Sequence, residues 1–113
     1  MKQIQAIIRS EQLGAVKEAL DAIGCPGMMV WEIVGHGKQK GLTETFRGSS
    51  FRVDLLPKTK IEIVVADGKV QGIVNAITKA AATGQVGDGK IFVTSIEQAI
   101  RIRTGEAGDA VVS

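Results

Sequence analysis

Ile61-Glu62-Ile63-Val64-Val65-Ala66-Asp67-Gly68-Lys69-Val70-Gln71-Gly72-Ile73-Val74-Asn75-Ala76-Ile77 is the run that decides how the chain is read. Its first five residues are rich in β-branched side chains and predict a strand. Val70, Ile73, Val74 and Ile77 then recur at helical spacing, and the small residues Ala80, Ala81 and Ala82 close the helix. The same pattern stands earlier in the chain. Ile4-Gln5-Ala6-Ile7-Ile8 reads as a strand, and Leu13, Val16, Leu20 and Ile23 as a helix with Ser10 as its cap. A shift of 57 positions carries Ile4 onto Ile61, Ile8 onto Val65, Leu13 onto Val70, Val16 onto Ile73, Leu20 onto Ile77 and Gly27 onto Gly84. Six matches in one register, across a strand, a helix and a turn, predict a duplicated unit.

Each unit runs on into another strand, Met28 to Val34 after the first helix and Lys90 to Thr94 after the second. Two β-α-β units in tandem predict an α+β, ferredoxin-like double βαβ sandwich. Right-handed crossovers put both helices on one face of a four-stranded antiparallel sheet. The other face then needs cover, with Trp31, Ile33, Ile61 and Ile63 competing for burial. Other subunits and a loop folded beneath the sheet are both open as the cover. Ile96 to Arg103 is expected to add a strand, and Gly105 to Ser113 a frayed or ligand-ordered tail.

Composition narrows the function classes. The chain has 113 residues, 44% of them hydrophobic, enough for one domain with a core of its own. Fourteen Lys and Arg against twelve Asp and Glu leave a net charge of +2, too little to argue for nucleic acid or an anionic membrane. One cysteine, Cys25, excludes an internal disulfide, and with one histidine, His36, it makes no Cys/His zinc site. No leader is read, and no apolar run nears the ~20 residues that span a bilayer, so a cytoplasmic protein is expected.

Two stretches exceed a minimal scaffold. Between Val34 and Lys58 the periodicity vanishes, over more than the ~12–15 residues of an ordinary loop. Lys38, Lys40, Arg47 and Arg52 mix there with Leu42, Phe46 and Phe51, which suits a docking arm; a hairpin extension with no partner is the plainer alternative. The second stretch is Thr83-Gly84-Gln85-Val86-Gly87-Asp88-Gly89-Lys90, between a helix and a strand. Glycines let backbone N–H groups approach an anion, although the spacing is not that of a Walker loop and a plain turn stays open. Arg101 and Arg103 fall on one side of an extended chain and fit a polyphosphate, or else solvent at an edge. Glu62, between Ile61 and Ile63, either accepts from a bound amine or faces water. No nucleophile–base pair for catalysis emerges.

With these residues in hand, the chain resembles the PII family of nitrogen-regulatory signal proteins. The resemblance lies in Val34-Gly35-His36-Gly37-Lys38-Gln39-Lys40-Gly41, Phe46-Arg47-Gly48, Leu56 to Glu62, Thr83 to Val93 and Ile100 to Glu106, in one register over essentially the whole chain. It implies a single domain over 1–113 and a homotrimer with ATP or ADP in clefts between subunits. Gly35, His36, Gly37, Lys38, Gln39, Glu62 and Val64 would hold the nucleoside side, with Ile7 a further nucleotide contact. Gly87, Asp88, Gly89 and Lys90 in a loop over about 82–90 would wrap the phosphates, joined by Arg101 and Arg103 from the neighbour. With Mg²⁺ and ATP, 2-oxoglutarate would meet Gly37, Gln39, Lys40, Gly41 and Lys58, with Gln39 a metal ligand. The loop over about 37–55 would dock to an ammonium transporter or a metabolic enzyme, and a C-terminal loop covers about 102–113. The resemblance implies a regulator rather than an enzyme, touching a membrane only through a transporter, and no nucleic-acid partner. A relative sensing adenylates alone, or regulating nitrogenase, is the alternative.

The chain departs from the family pattern in places. Many relatives carry at Phe51 a tyrosine that is nucleotidylylated, so that modification is not expected here. Ser49 matches a serine phosphorylated in cyanobacterial relatives. Met29 stands where threonine is common near the base, and Lys38 replaces an arginine, which removes a planar fork of donors.

Overall fold

Strand pairing turns the two repeated units into one sheet. The computed structural model describes residues 1–36, 42–46, 49–53 and 55–112, with only the backbone described within 35–55. Strand β1 is Lys2–Ile8, helix α1 Leu13–Ala22, and β2 Met29–His36. After these come β3 Leu42–Phe46, β4 Ser49–Val53, β5 Leu55–Val65, α2 Val70–Ala81 and β6 Gly89–Ser95. The four-stranded sheet has the order β2-β5-β1-β6 with every pair antiparallel, while β3 and β4 form a separate two-stranded sheet. This is the expected ferredoxin-like arrangement.

The duplication survives in three dimensions. Each helix is entered through a 3₁₀ turn, Ser10–Gln12 in the first unit and Asp67–Lys69 in the second. The residues before those turns, Arg9 at φ −62°, ψ 135° and Ala66 at φ −63°, ψ 151°, share one backbone conformation. Matched positions are buried together: Ile4 and Ile61, Ala6 and Ile63, Ile8 and Val65, Val16 and Ile73, Leu20 and Ile77. The match ends with the helices. Chain reversal after α1 uses Gly24 at φ +71°, whereas α2 runs two residues longer and Gly84 carries the positive φ, +85°, in its own turn.

Period-two alternation sorts the sheet into two faces. Ile4, Ala6 and Ile8 of β1, with Thr59, Ile61, Ile63 and Val65 of β5, are buried against Val16, Leu20, Ile73 and Ile77 of the helices. Thr59 is the buried polar residue there, and its hydroxyl donates to Ser10 Oγ at 3.0 Å. Ser10 therefore does not cap the helix as its position suggests. It lies inside the 3₁₀ turn, which has no side-chain cap. The four residues expected to compete for one face are divided: Ile61 and Ile63 go to the helices, whereas Trp31 and Ile33 stand opposite Lys60 and Lys58 on the other face.

Within the long connection, β3 and β4 pair from Leu42↔Val53 to Phe46↔Ser49. Two further expectations are corrected. Strand β5 begins at Leu55, well before Ile61. No strand forms over 96–103. Arg101 N–H donates to Glu106 O at 2.8 Å and Gly105 N–H to Arg101 O at 2.8 Å, a turn closed by the isolated bridge Ile100↔Ala107. Gly105 at φ +74° makes the reversal possible, and Gly108 N–H returns to Ala99 O at 3.1 Å, so the tail is tied back rather than frayed.

Burial predicts an asymmetric response to truncation. Ile77→Ala, at a fully buried position, should cost about 2–5 kcal/mol. Lys17→Ala removes an exposed i,i+4 pair with Asp21 at 3.3 Å and should stay within about 0.5 kcal/mol. Urea midpoints at one fixed protein concentration check both.

Candidate functional site

The helix-free face of the sheet gathers side chains by register alone. Ile7 pairs with Lys60 on one side and Lys90 on the other, and Gln5 with Glu62 and Phe92. Glu62 in turn pairs with Met29, and Lys60 with Trp31. Ile7, Lys58, Glu62, Val64 and Lys90 thus share the parity of this face. The Glu62 carboxylate accepts from Gln5 Nε2 at 2.8 Å and Gln3 Nε2 at 3.2 Å, and Lys60 Nζ lies 3.3 Å away. Lys60 also sits over the Trp31 ring, 4.8 Å from its centroid. The Gln5 amide first, then Lys60 and Gln3, hold the Glu62 carboxyl below its ordinary range against the opposing effect of desolvation.

At the end of β1 and β5 this face meets the glycine-rich turn. Asp88 is its hub. Thr83 N–H donates to Oδ2 at 2.7 Å, Gly84 N–H to Oδ2 at 2.9 Å, and Arg9 Nε to Oδ1 at 2.9 Å, while the Thr83 hydroxyl also bonds Oδ1. The hydrogen bond from the Thr83 hydroxyl, then those from Arg9 and the Thr83 amide, hold the Asp88 carboxyl well below the usual carboxylate range. Two cations grip consecutive carbonyls of the same turn: Arg9 Nη2 donates to Val86 O at 2.8 Å and Lys58 Nζ to Gly87 O at 2.6 Å. Burial, and secondly repulsion from Arg9, push the Lys58 ammonium down from its ordinary value, with Glu11 and Asp88 acting the other way. An anion received between Arg9 and Lys58 would relieve that repulsion.

Glycine is required where this turn enters β6. Gly89 has φ +105°, and a Cβ there would lie 1.7 Å from the Ile7 carbonyl oxygen. Gly87 has φ +102°. At Gly89 the backbone of the turn therefore runs against β1 with no side chain between them.

The expected site residues are distributed over two hollows. One, of about 250 Å³, lies between α2 and the β1–β6 edge, lined by Ile7, Asp88, Gly89 and Lys90 with Val74, Thr78 and Ala81. The other, of about 350 Å³, is lined by Glu62 and Val64 with Met29, Pro26, Val111 and Val112. Gly87 and Lys58 line neither hollow, and Lys58 Nζ donates to Gly87 O in the adjoining turn. Arg101 and Arg103 line neither hollow; they sit in the C-terminal turn, not on an extended chain, and Arg101 Nη1 pairs with Glu106 at 3.1 Å. Gly35 and His36 end β2 opposite Leu56 and Leu55. Gly37, Lys38, Gln39, Lys40 and Gly41 lie outside the described residues, so the expected metal ligand and most of the expected 2-oxoglutarate contacts do too. Ser49 and Phe51 belong to β4, opposite Phe46 and Glu44, with only their backbone described. Among the described residues, no three His, Cys, Asp or Glu side chains come together in a metal site. Sequence reasoning missed Arg9, named Thr83 only as the first residue of the glycine-rich stretch, and gave Val111 and Val112 no role within the C-terminal loop. Arg9 falls in no motif, and only the fold brings it to Asp88.

Comparison with known proteins points the same way. The family model described as "Nitrogen regulatory protein P-II" matches residues 1–106. "Nitrogen regulatory protein P-II 2" of Methanothermobacter thermautotrophicus is 56% identical over 112 residues, covering 99% of this chain and 97% of that protein. "Nitrogen regulatory protein P-II" of Cereibacter sphaeroides is 54% identical over 99% of this chain and 100% of its own length. The protein of the same name from Rhodospirillum rubrum is 56% identical over 98% of this chain and 100% of its own length.

The Asp88 network predicts a pH signature. A carboxyl depressed in the folded state stabilises it above the unfolded value of about 4, and the contribution disappears as pH falls toward the folded value. Urea midpoints of the parent chain should drop below about pH 4. Asp88→Asn should be less stable at neutral pH and lose less on acidification, measured by the same titrations from neutrality to acid.

Proposed function

The chain belongs to the P-II family of nitrogen regulatory proteins, and from that membership we propose a nitrogen, carbon and energy sensor of the cytoplasm. It binds ATP or ADP and, with Mg²⁺-ATP, 2-oxoglutarate. The observation that carries this reading is the glycine-rich turn, its carbonyls held by Arg9 and Lys58 and its backbone pressed against β1 at Gly89. Cations behind a turn of small residues suit a polyphosphate. Ile7, Asp88, Gly89 and Lys90 serve the phosphate side, and Glu62 and Val64 beside Met29 the base side.

One protomer holds these halves in separate hollows. A homotrimer that apposes one protomer's phosphate hollow to its neighbour's base hollow completes the site, with Arg101 and Arg103 reaching across. Burial of Trp31 and Phe92, both partly exposed on the helix-free face, favours such an assembly. Magnesium is hard and prefers oxygen. No protein cage of carboxylates is found among the described residues, so nucleotide and effector oxygens would supply most of its ligands, with the Gln39 amide oxygen. When bound, the ion would supply positive charge that offsets the negative charge of the phosphates and carboxylates. Lys58, at the start of the segment after the hairpin, meets the effector's carboxylate.

The hairpin β3–β4, on the connection over 37–55, is the surface offered to targets, an ammonium transporter first and a metabolic enzyme second. Ligand state at its base alters how the connection is held, an order–disorder switch. Phe51 lacks the hydroxyl that nucleotidylylation needs, and Ser49 is open to phosphorylation. We assign no catalytic role to any residue.

Isothermal titration calorimetry tests the reading. Mg²⁺-ATP should bind, and 2-oxoglutarate should bind only in its presence, with a coupling of about 1–3 kcal/mol. Lys58→Ala should abolish the second step. Binding of ATP without 2-oxoglutarate in the parent chain would leave a sensor of adenylates alone, and binding of neither would overturn the proposal.

A further inference from the structure

Arg9 has a side chain that its own turn does not need. In the second unit Ala66 occupies the matching position, adopts the same backbone conformation and leads into an equivalent 3₁₀ turn. The carbonyls behave alike: Arg9 O accepts from Gln12 N–H at 3.0 Å, and Ala66 O from Lys69 N–H at 3.0 Å. Strand exit and helix entry are thus built without a guanidinium. Yet the Arg9 side chain is only 13% exposed, although burying an arginine without partners is costly. Its donors go elsewhere, Nε to Asp88 Oδ1 at 2.9 Å and Nη2 to Val86 O at 2.8 Å.

Those two acceptors lie on either side of Gly87, a residue at φ +102° with no side chain to hold its own conformation. A planar fork that bonds both flanks at once fixes the distance and orientation between them, which a point charge on a flexible stem cannot do. Asp88, gripped by Arg9 from one side, in turn orders Thr83 and Gly84 by accepting their N–H groups.

We infer that Arg9 is a positioning residue of the glycine-rich turn: its guanidinium, divided between the Asp88 carboxylate and the Val86 carbonyl, clamps residues 83–88 in one shape before any ligand arrives. That the clamped turn receives a nucleotide phosphate rests on the function proposed above; the clamp itself does not. It turns one copy of the duplicated unit into the side that shapes the site, while the other copy keeps alanine and serves packing.

Two variants, Arg9→Lys and Arg9→Ala, test this with two readouts. Hydrogen exchange without ligand tracks the Thr83 and Gly84 amides, with the Ile61 and Ile63 amides of β5 as the internal control. Calorimetry tracks Mg²⁺-ATP. Loss of charge-assisted hydrogen bonds should speed exchange at Thr83 and Gly84 by about tenfold or more, in both variants, with β5 unchanged. ATP affinity should weaken about tenfold or more in both, because lysine restores the charge but not the fork. Parental exchange and affinity in Arg9→Lys would overturn the inference, showing that charge suffices. Weakened affinity with unchanged exchange would also overturn it, by making Arg9 a direct ligand contact. If the parent chain binds no ATP, the proposed function fails, and the exchange data alone still decide the clamp.

Discussion

Alternation along β1 and β5 admits one assignment of faces. Once Ile4, Ala6 and Ile8 meet the helices, Gln3, Gln5 and Ile7 must point away from them. With Thr59, Ile61, Ile63 and Val65 inside, Lys58, Lys60, Glu62 and Val64 join Ile7 outside. A slip of one residue would exchange the two sets and bury a lysine–glutamate ladder in the core. The parity that secures the hydrophobic core is therefore also what collects the charged and polar residues on one surface. Core and site are two consequences of one register.

On that surface, charges are settled pairwise before any ligand is present. Glu62 is satisfied by two glutamine amides and Lys60, and Lys60 leans on Trp31. Asp88 is satisfied by Arg9 and by the Thr83–Gly84 backbone. Among the described residues no buried side-chain polar atom lacks a hydrogen-bond partner. Glu62 and Asp88 are thus held by hydrogen bonds within the protein, while Arg9 and Lys58 bring their cationic groups to the carbonyls of the glycine-rich turn.

Duplication also shows where the chain departs from a common scaffold. The units coincide from strand through 3₁₀ turn to helix and diverge afterwards, in the turns at Gly24 and Gly84 and in the segments that leave β2 and β6. The first unit leads into the hairpin-bearing connection and the second into the folded-back tail. The additions lie at the ends of the sheet, where backbone is not committed to the ladder and side chains can be chosen for ligands or partners.

Much of this was legible in the chain itself. Period-two and helical spacing gave both units, their order and the layer arrangement, because those patterns are the direct imprint of one face buried and one not. The motif around Gly87, Asp88, Gly89 and Lys90 marked a special turn, because only glycine tolerates φ near +100° beside a neighbouring carbonyl. What local pattern could not give was anything resting on distant residues. Arg9 is 79 positions from Asp88, and nothing in its neighbourhood distinguishes it from a solvated arginine. Ser10 looked like a helix cap until β5 brought Thr59 against it. Arg101 and Arg103 looked extended until Glu106 and Ala107 drew the chain back. Spacing encodes which side of its own element a residue faces, and that the sequence by itself determined. Which partner waits on that side is set by how the elements pack, and only the tertiary structure decided it.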